Sequence, residues 1–293
     1  MYRMILDKLC CPVCKKDLAL VSDIELNGDI VEGSLKCENG HTYHIHEGVA
    51  DFNSSEQSFV NEWESMGNSD DFEDLDRQMD EKNAASVTQR QKKTLESILN
   101  AVMEQDHGTI LDVASGRGLL LAELVNSVED DVHIISIDLS AYILKYDYRK
   151  FQKSAPNKRI SYLACDACNI PLKDYAVDMA VSFCGFSNMI GCADKALKDV
   201  NRVIKENGTL VDSYIVIHKD SKGYQAVQQV CADQNISGGE EFFLHDQIFK
   251  HHNALFSAVS YRVAFEGLGI DNGMDLLPYD GEWYADQIFV SKK

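Results

Sequence analysis

Apolar and polar positions alternate along this chain in two different periods. TILDV (109–113), VHIISID (132–138), RISYLAC (159–165), VDMAVSF (177–183) and TLVDSYIVI (209–217) are short apolar runs bounded by turn residues, and they read as buried strands. Between them LLLAELVNSV (119–128), AYILKYDYRKFQ (141–152) and KALKDVNRVIKE (195–206) carry apolar residues every three or four positions, the period of a helix with one buried face. The last of these is closed by Asn207-Gly208. Upstream, SVTQRQKKTLESILNAVM is helical from Ala84 onward and stops at His107-Gly108. Downstream, helical stretches near 221–235 and 241–252 precede SAVSYRVAFEG (257–267) and EWYADQIFVSKK (282–293), which alternate like a terminal strand pair. Strands and helices in strict alternation predict an α/β protein with a mostly parallel sheet covered on both faces.

The first fifty residues follow another plan. IELNGDIVEGSLKC (24–37) reads as a hairpin turning at Asn27-Gly28-Asp29. It lies between two cysteines and a Cys/His cluster, so residues 1–53 form a small unit of their own. Residues 54–94 are expected to be an acidic helical linker or lid, and 95–293 the main domain. Residues 51–81 carry eleven Asp or Glu against Arg77 alone, the pattern of a solvated surface. Phe59, Trp63 and Met66 fall at helical spacing within it, so part of the segment is expected to fold over the main domain.

Composition narrows the function classes. Hydrophobic residues make up 45% of the 293 and charged residues 26%, an ordinary globular balance. No apolar run reaches the length of a membrane span and MYRMILDKLCC does not resemble a signal peptide, so the expectation is a cytoplasmic protein without a membrane partner. The nine cysteines are then thiols or metal ligands. The net charge of −19 repels phosphate backbones and argues against nucleic acid. The basic cluster Lys145, Arg149, Lys150, Lys153, Lys158 and Arg159 reads as a solvated helix face.

Cys11-Pro-Val-Cys14 and Cys37-Glu-Asn-Gly-His41 supply three thiolates and an imidazole at the spacing of a closed tetrahedral zinc site. Such a site stabilises a unit too small for its own core. Cys10 stands beside the set, and His44 and His46 are rival fourth ligands.

ILDVASGRGLLLAEL (110–124) runs from a strand through a glycine turn into a helix. Gly116 and Gly118 let the backbone approach a ligand at the helix N-terminus. The pair alone fits a dinucleotide site or a plain tight turn. Asp138, at the tip of the next strand, can accept two hydrogen bonds from a ribose diol. Asp166, just past the third strand, can accept one from an exocyclic amine. A nicotinamide site normally carries a third glycine where this chain has Leu121. CDAC (165–168) lies at the same tip, and Cys165 and Cys168 read as structural thiols.

LDVASGRG, IDLS, the CDACNIPLKDYAVDMAVSF run and ALKDVNRVIKENGTLV, in this order, resemble class I S-adenosylmethionine-dependent methyltransferases, the ubiquinone-biosynthesis branch most closely. The resemblance covers roughly residues 95–293. It implies a Rossmann-like, mostly parallel seven-stranded sheet and S-adenosylmethionine as cofactor. It also implies roles. Asp112 orients the loop, and Ala114, Ser115, Gly116 and Gly118 lie against the methionine moiety. Asp138 holds the ribose, with Leu139 beside the adenine. Asp166 and the backbone of Ala167 read the adenine edge, and Ser182 and Phe183 border the sulfonium. Ala114 stands where the family usually has glycine, and a single methyl is expected to leave binding intact. The first fifty residues resemble the zinc module of 23S rRNA guanine-N1 methyltransferases and the small zinc-ribbon partners of tRNA and protein methyltransferases.

Methyl transfer needs alignment first and, for an O or N acceptor, a base. His218, after the fifth strand, and His245 are the candidates, with His251 and His252 behind them. Cys184 and Asn188 sit where the family meets substrate, and no N-P-P-Y tetrad is present. The expected function is methyl transfer to an O or N atom of a small or medium-sized metabolite. An RNA base methyltransferase is the rival, supported by the zinc module and opposed by charge, since residues 1–50 hold five Lys or Arg and eight acids. A non-catalytic protein using its zinc module for a protein partner is the third reading.

Overall fold

The computed structural model describes residues 1–53, 74, 76–78, 81, 85–105, 108–269 and 279–293. Phe59, Trp63 and Met66 lie outside the described residues. The core follows the apolar periodicity closely. Strands β5 (Thr109–Val113), β6 (His133–Asp138), β7 (Arg159–Ala164), β8 (Val177–Ser182) and β9 (Ile204–Ile217) are linked by parallel pairings. The antiparallel pair β10 (Ala258–Leu268) and β11 (Trp283–Lys292) closes one side, with β11 against β9. Every residue of β5 and β6 is buried, as a strand covered on both faces requires.

Two apolar layers cover the sheet. On one face helices α1 (Ala85–Met103), α2 (Leu119–Ser127) and α3 (Ala141–Ser154) set Leu95, Ile98, Leu120, Leu124, Ile143 and Phe151 against Ile110, Ile134, Ile160 and Val181. On the other, Leu197 and Val200 of helix α5 (Ala193–Val203) pack on Leu111, Val113 and Ile135, with the single turn α4 (Gly185–Asn188) between them and the β8 tip. Helices α6 (Lys222–Asp233) and α7 (His245–Asn253) precede the final pair. Helix α5 stops at Val203, three residues before the sequence pattern suggested. Ile204 is fully buried and enters the sheet beside Val177, and the extra residues to Gly208 are absorbed where that register shifts. No described helix is long and apolar enough to cross a membrane.

The N-terminal strands β1 (Leu18–Leu26), β2 (Asp29–Cys37), β3 (Thr42–His46) and β4 (Val49–Asp51) extend this sheet, giving the order β1-β2-β3-β4-β7-β6-β5-β8-β9-β11-β10. The β1–β2 hairpin turns on Asn27 and Gly28, both at positive φ, as the Asn-Gly signal required. Strand β4 pairs in parallel with β7, Val49 opposite Tyr162 and Asp51 opposite Ala164. Ile5, Leu9, Ile30, Leu35, Ile45 and Phe52 belong to the same buried cluster as Leu111 and Ile135. The small unit and the main domain therefore share one sheet and one core.

Candidate cofactor site and metal centre

The carboxyl ends of β5, β6 and β7 stand side by side, so the loops that follow them converge. After β5 the backbone takes positive φ at Ala114 (55°), Gly116 (55°) and Gly118 (72°). Glycine adopts that conformation freely, and Ala114 holds it at a steric cost. The Ser115 N–H donates to the Ile137 carbonyl, and the Gly116 N–H donates to Asp138 Oδ2 at 3.0 Å. The loop is thus latched to the tip of β6. Asp138 Oδ1 accepts the Ser140 N–H at 3.0 Å. Burial raises the Asp138 carboxyl above the usual carboxylate range, against the pull of the Ser140, Gly116 and Leu139 N–H groups.

Asp112 lies beneath this loop, 1% exposed, and among the described residues neither of its oxygens has a hydrogen-bond partner. Burial first, then the neighbouring Asp138 charge, pushes its carboxyl up to about 7. The register places Asp112 beside Ser136 and Ser136 beside Tyr162. The Ser136 and Tyr162 hydroxyls are also buried without partners among the described residues, as is the Ser115 hydroxyl. Asp147 on α3 is fully buried with both oxygens unpartnered among the described residues, and a Cβ on Gly118 would lie 2.7 Å from it. Burial raises the Asp147 carboxyl well above its ordinary range. A buried acceptor without a donor is costly, and Asp112 in particular fits a ligand that brings positive charge to the loop.

Asp166 follows β7 and its Oδ1 accepts the Cys168 N–H at 2.8 Å. Ser182, at the β8 tip, donates to the Val113 carbonyl at 2.9 Å, and Phe183 follows it. Asp112, Ala114, Ser115, Gly116, Gly118, Asp138, Leu139, Asp166, Ala167, Ser182 and Phe183 thus gather along one edge of the sheet. The histidines do not gather there as a group. His218 is exposed just past β9 with its ring 4.4 Å from that of Trp283. His245 bonds Gln287 Oε1 at 2.6 Å, midway along β11. His251 bonds Glu241, and His252 is fully buried between Tyr214 and Ser291. Cys184 is buried with its N–H on the Ser213 hydroxyl.

Two partners of the site were hidden in the sequence. Asp76, in the acidic stretch, is buried and pairs with Arg117 of the glycine loop at 2.6 Å, and the Tyr146 hydroxyl donates to it at 2.9 Å. Asn53 donates from Nδ2 to the Leu139 carbonyl at 2.9 Å. These contacts span 41 and 86 residues, and no local pattern announces them.

In the N-terminal unit, Cys11, Cys14, Cys37 and His41 bring their ligand atoms within 4.8 Å of one another. Cys14 and Cys37 sulfurs are 3.7 Å apart, and His41 Nδ1 lies 3.4 Å from Cys11 Sγ and 3.3 Å from Cys37 Sγ. Sulfurs around tetrahedral zinc stand about 3.8 Å apart, so the residues present fit that ion. Burial opposes ionisation of Cys11, yet the Tyr43 hydroxyl and the Cys14 and Val13 N–H groups bring its thiol down to about 6. Cys10 is no part of the set: it is buried, and its N–H bonds the Pro171 carbonyl. His44 is exposed, and His46 bonds Glu32.

Residues 63–229 match the ubiE/COQ5 methyltransferase family. The chain belongs to that family. Residues 3–48 match the Trm112p-like proteins. Among relatives of the ubiE/COQ5 branch, the ubiquinone/menaquinone biosynthesis C-methyltransferase UbiE of Shewanella sp. (strain W3-18-1) is 29% identical over 102 residues, 35% of this chain and 40% of that protein. The 2-phytyl-1,4-naphtoquinone methyltransferase of Nostoc sp. (strain PCC 7120) is 28% identical over 99 residues, 34% of this chain and 43% of that one. The match thus spans well under two thirds of either relative. Solved structures agree on the fold. A SAM-dependent methyltransferase of Methanosarcina mazei superposes with a TM-score of 0.51 at 16% identity, over 67% of this chain and 96% of that one. The phosphoethanolamine N-methyltransferase 2 of Haemonchus contortus gives 0.50 at 14%, over 68% and 52%.

Proposed function

We propose that this ubiE/COQ5-family chain is an S-adenosylmethionine-dependent methyltransferase acting on a small or medium-sized metabolite, with a structural zinc ion in its N-terminal module. The observation that carries the reading is Asp112, a buried carboxyl without a partner among the described residues, under a loop of alternating positive φ and in line with Asp138 and Asp166. Bound there, S-adenosylmethionine supplies an electrophilic methyl on a sulfonium. The chain's own residues would hold and align it: Asp138 the ribose hydroxyls, Asp166 and the Ala167 N–H the adenine edge, the Ala114–Gly118 backbone the methionine part, and Ser182 and Phe183 the sulfonium side. Fixing donor and acceptor in one geometry is the main source of rate in such a transfer.

The relatives' names, a C-methyltransferase and a naphtoquinone methyltransferase, support a carbon acceptor on a quinone-like ring over the O or N atom expected from sequence. A phenolic ring carbon becomes nucleophilic once its hydroxyl proton leaves, so a base is still wanted. His218, on the same sheet edge as the cofactor residues, is the better placed candidate, and His245 on Gln287 the weaker. The RNA reading is opposed by the net charge of −19. A protein partner for the zinc module is the weaker reading: its β4 edge pairs with β7 and Ile30, Leu35 and Ile45 join the core, while Val21, Ile24 and Leu26 of the edge strand β1 are exposed. The test is transfer of radiolabelled methyl from S-adenosylmethionine to simple hydroquinones and naphthoquinols, with ribosomal RNA in parallel. Label in the quinols supports the proposal; label in RNA alone overturns it.

A further inference from the structure

Strand β4 lies beside β7 and runs parallel to it, so its carboxyl end stands on the same sheet edge as the cofactor residues. Along that edge the order is β5, β6, β7, β4. The assigned contacts follow it: glycine loop after β5, ribose acid on β6, adenine acid after β7. The next group in the row comes from the N-terminal module. It is Asn53, two residues past Asp51.

The Asn53 amide is held firmly. The Phe52 N–H donates to the Ala164 carbonyl at 2.8 Å, and the Asn53 N–H donates to Asp51 Oδ1 at 3.0 Å. Its Nδ2 donates to the carbonyl of Leu139, the residue after the ribose acid, at 2.9 Å. That bond fixes which end of the amide is nitrogen. The other end, Oδ1, is buried and has no hydrogen-bond partner among the described residues. A buried amide oxygen of this kind calls for a donor. Asp166 is a carboxylate and offers none, and the ribose hydroxyls belong to Asp138. The exocyclic amine of adenine has two N–H groups, of which Asp166 can take one.

We propose that Asn53 is a cofactor-binding residue whose Oδ1 accepts the second N–H of the adenine amine, so that the zinc module completes the adenosine pocket. This rests on the methyltransferase reading above. The module is tied to the adenine side a second time. Asn169, three residues past Asp166, donates from Nδ2 to the Pro12 carbonyl at 3.1 Å, inside the Cys11–Cys14 turn, and its Oδ1 accepts from Lys15.

The experiment is calorimetry on the zinc-loaded full chain with S-adenosylhomocysteine and with S-inosylhomocysteine, which carries an oxo group in place of the amine. Asn53→Ala should weaken S-adenosylhomocysteine by about tenfold, the value of one hydrogen bond to a buried acceptor, and leave S-inosylhomocysteine unchanged. Asn53→Gln keeps an amide donor for the Leu139 carbonyl and an acceptor beside it, and should retain the preference for the amine. Zinc content and thermal unfolding of each variant report whether the module stays folded. If Asn53→Ala loses its zinc, Asn53→Gln carries the test, and loss of the amine preference in it overturns the proposal. Equal weakening of both nucleosides by Asn53→Ala, or no weakening, overturns it as well. If the unmodified chain binds neither, the methyltransferase reading itself falls and takes the proposal with it. Binding of S-adenosylhomocysteine that is insensitive to Asn53 leaves that reading standing and removes only Asn53.

Discussion

Ala114→Gly should stabilise this protein, although most glycine substitutions do the reverse. Ala114 has φ of 55°, a conformation that costs an L-residue with a Cβ about 1–2 kcal/mol and glycine almost nothing. Glycine also gains freedom in the unfolded chain, which takes back about 0.4–1 kcal/mol. The residue is only half-buried, so loss of one methyl removes little packing. The net is a gain of about 0.5–1 kcal/mol, equivalent to a rise of about 1–3 °C in Tm for a chain of this size. Thermal and urea unfolding would measure it, with Ala122→Gly as control. Ala122 lies inside α2, where glycine should cost about 1 kcal/mol. Cofactor affinity should stay within about twofold, since the loop keeps its latch to Asp138. If Ala114→Gly destabilises as much as the control, the strain argument is wrong.

Asp112 titrates at about 7 without ligand, and a bound cation favours its charged form, so affinity for S-adenosylmethionine should rise from pH 6 to pH 8 with proton release on binding; Asp112→Asn should remove the dependence in calorimetry run in two buffers. Asp147 has its folded value raised, so its contribution to stability is complete at acid pH and is lost as the pH rises through that value. Asp147→Asn should therefore be more stable than the parent on the alkaline side, read by urea unfolding across pH. Asp76→Ala removes a buried partner of Arg117 and should cost about 2–4 kcal/mol of stability, with cofactor affinity falling too, both read on the same samples. Stripping zinc with a strong chelator should open β1–β4 to hydrogen exchange while β5, β6 and β8 stay protected.

Much of this was legible because local rules and the final fold agree. The strand runs from Thr109 to Ile217 are apolar because both faces are covered, and the Asn27-Gly28 turn needs positive φ that those residues supply. The four zinc ligands could be paired by spacing because two tight turns place them. Other features were not legible. The merging of β4 into the main sheet depends on pairing across more than a hundred residues. The burial of Asp76 contradicts the composition around it, and Asn53 looks like any linker polar residue until its partner at Leu139 is known. The end of α5 was misplaced because Ile204 continues the helical apolar spacing while its burial belongs to the sheet. Ala114 could be seen as a departure from glycine, but only the backbone shows that the departure carries strain.

The edge formed by β5, β6 and β7 is where S-adenosylmethionine should bind. Calorimetric titration of the zinc-loaded chain with S-adenosylmethionine tests it most directly, alongside Asp138→Ala. One saturable site is expected in the parent, with Kd in the micromolar range, and a loss of at least about tenfold in the variant, whose ribose acceptor is gone. No saturable binding in the parent, or equal binding by Asp138→Ala, would contradict it.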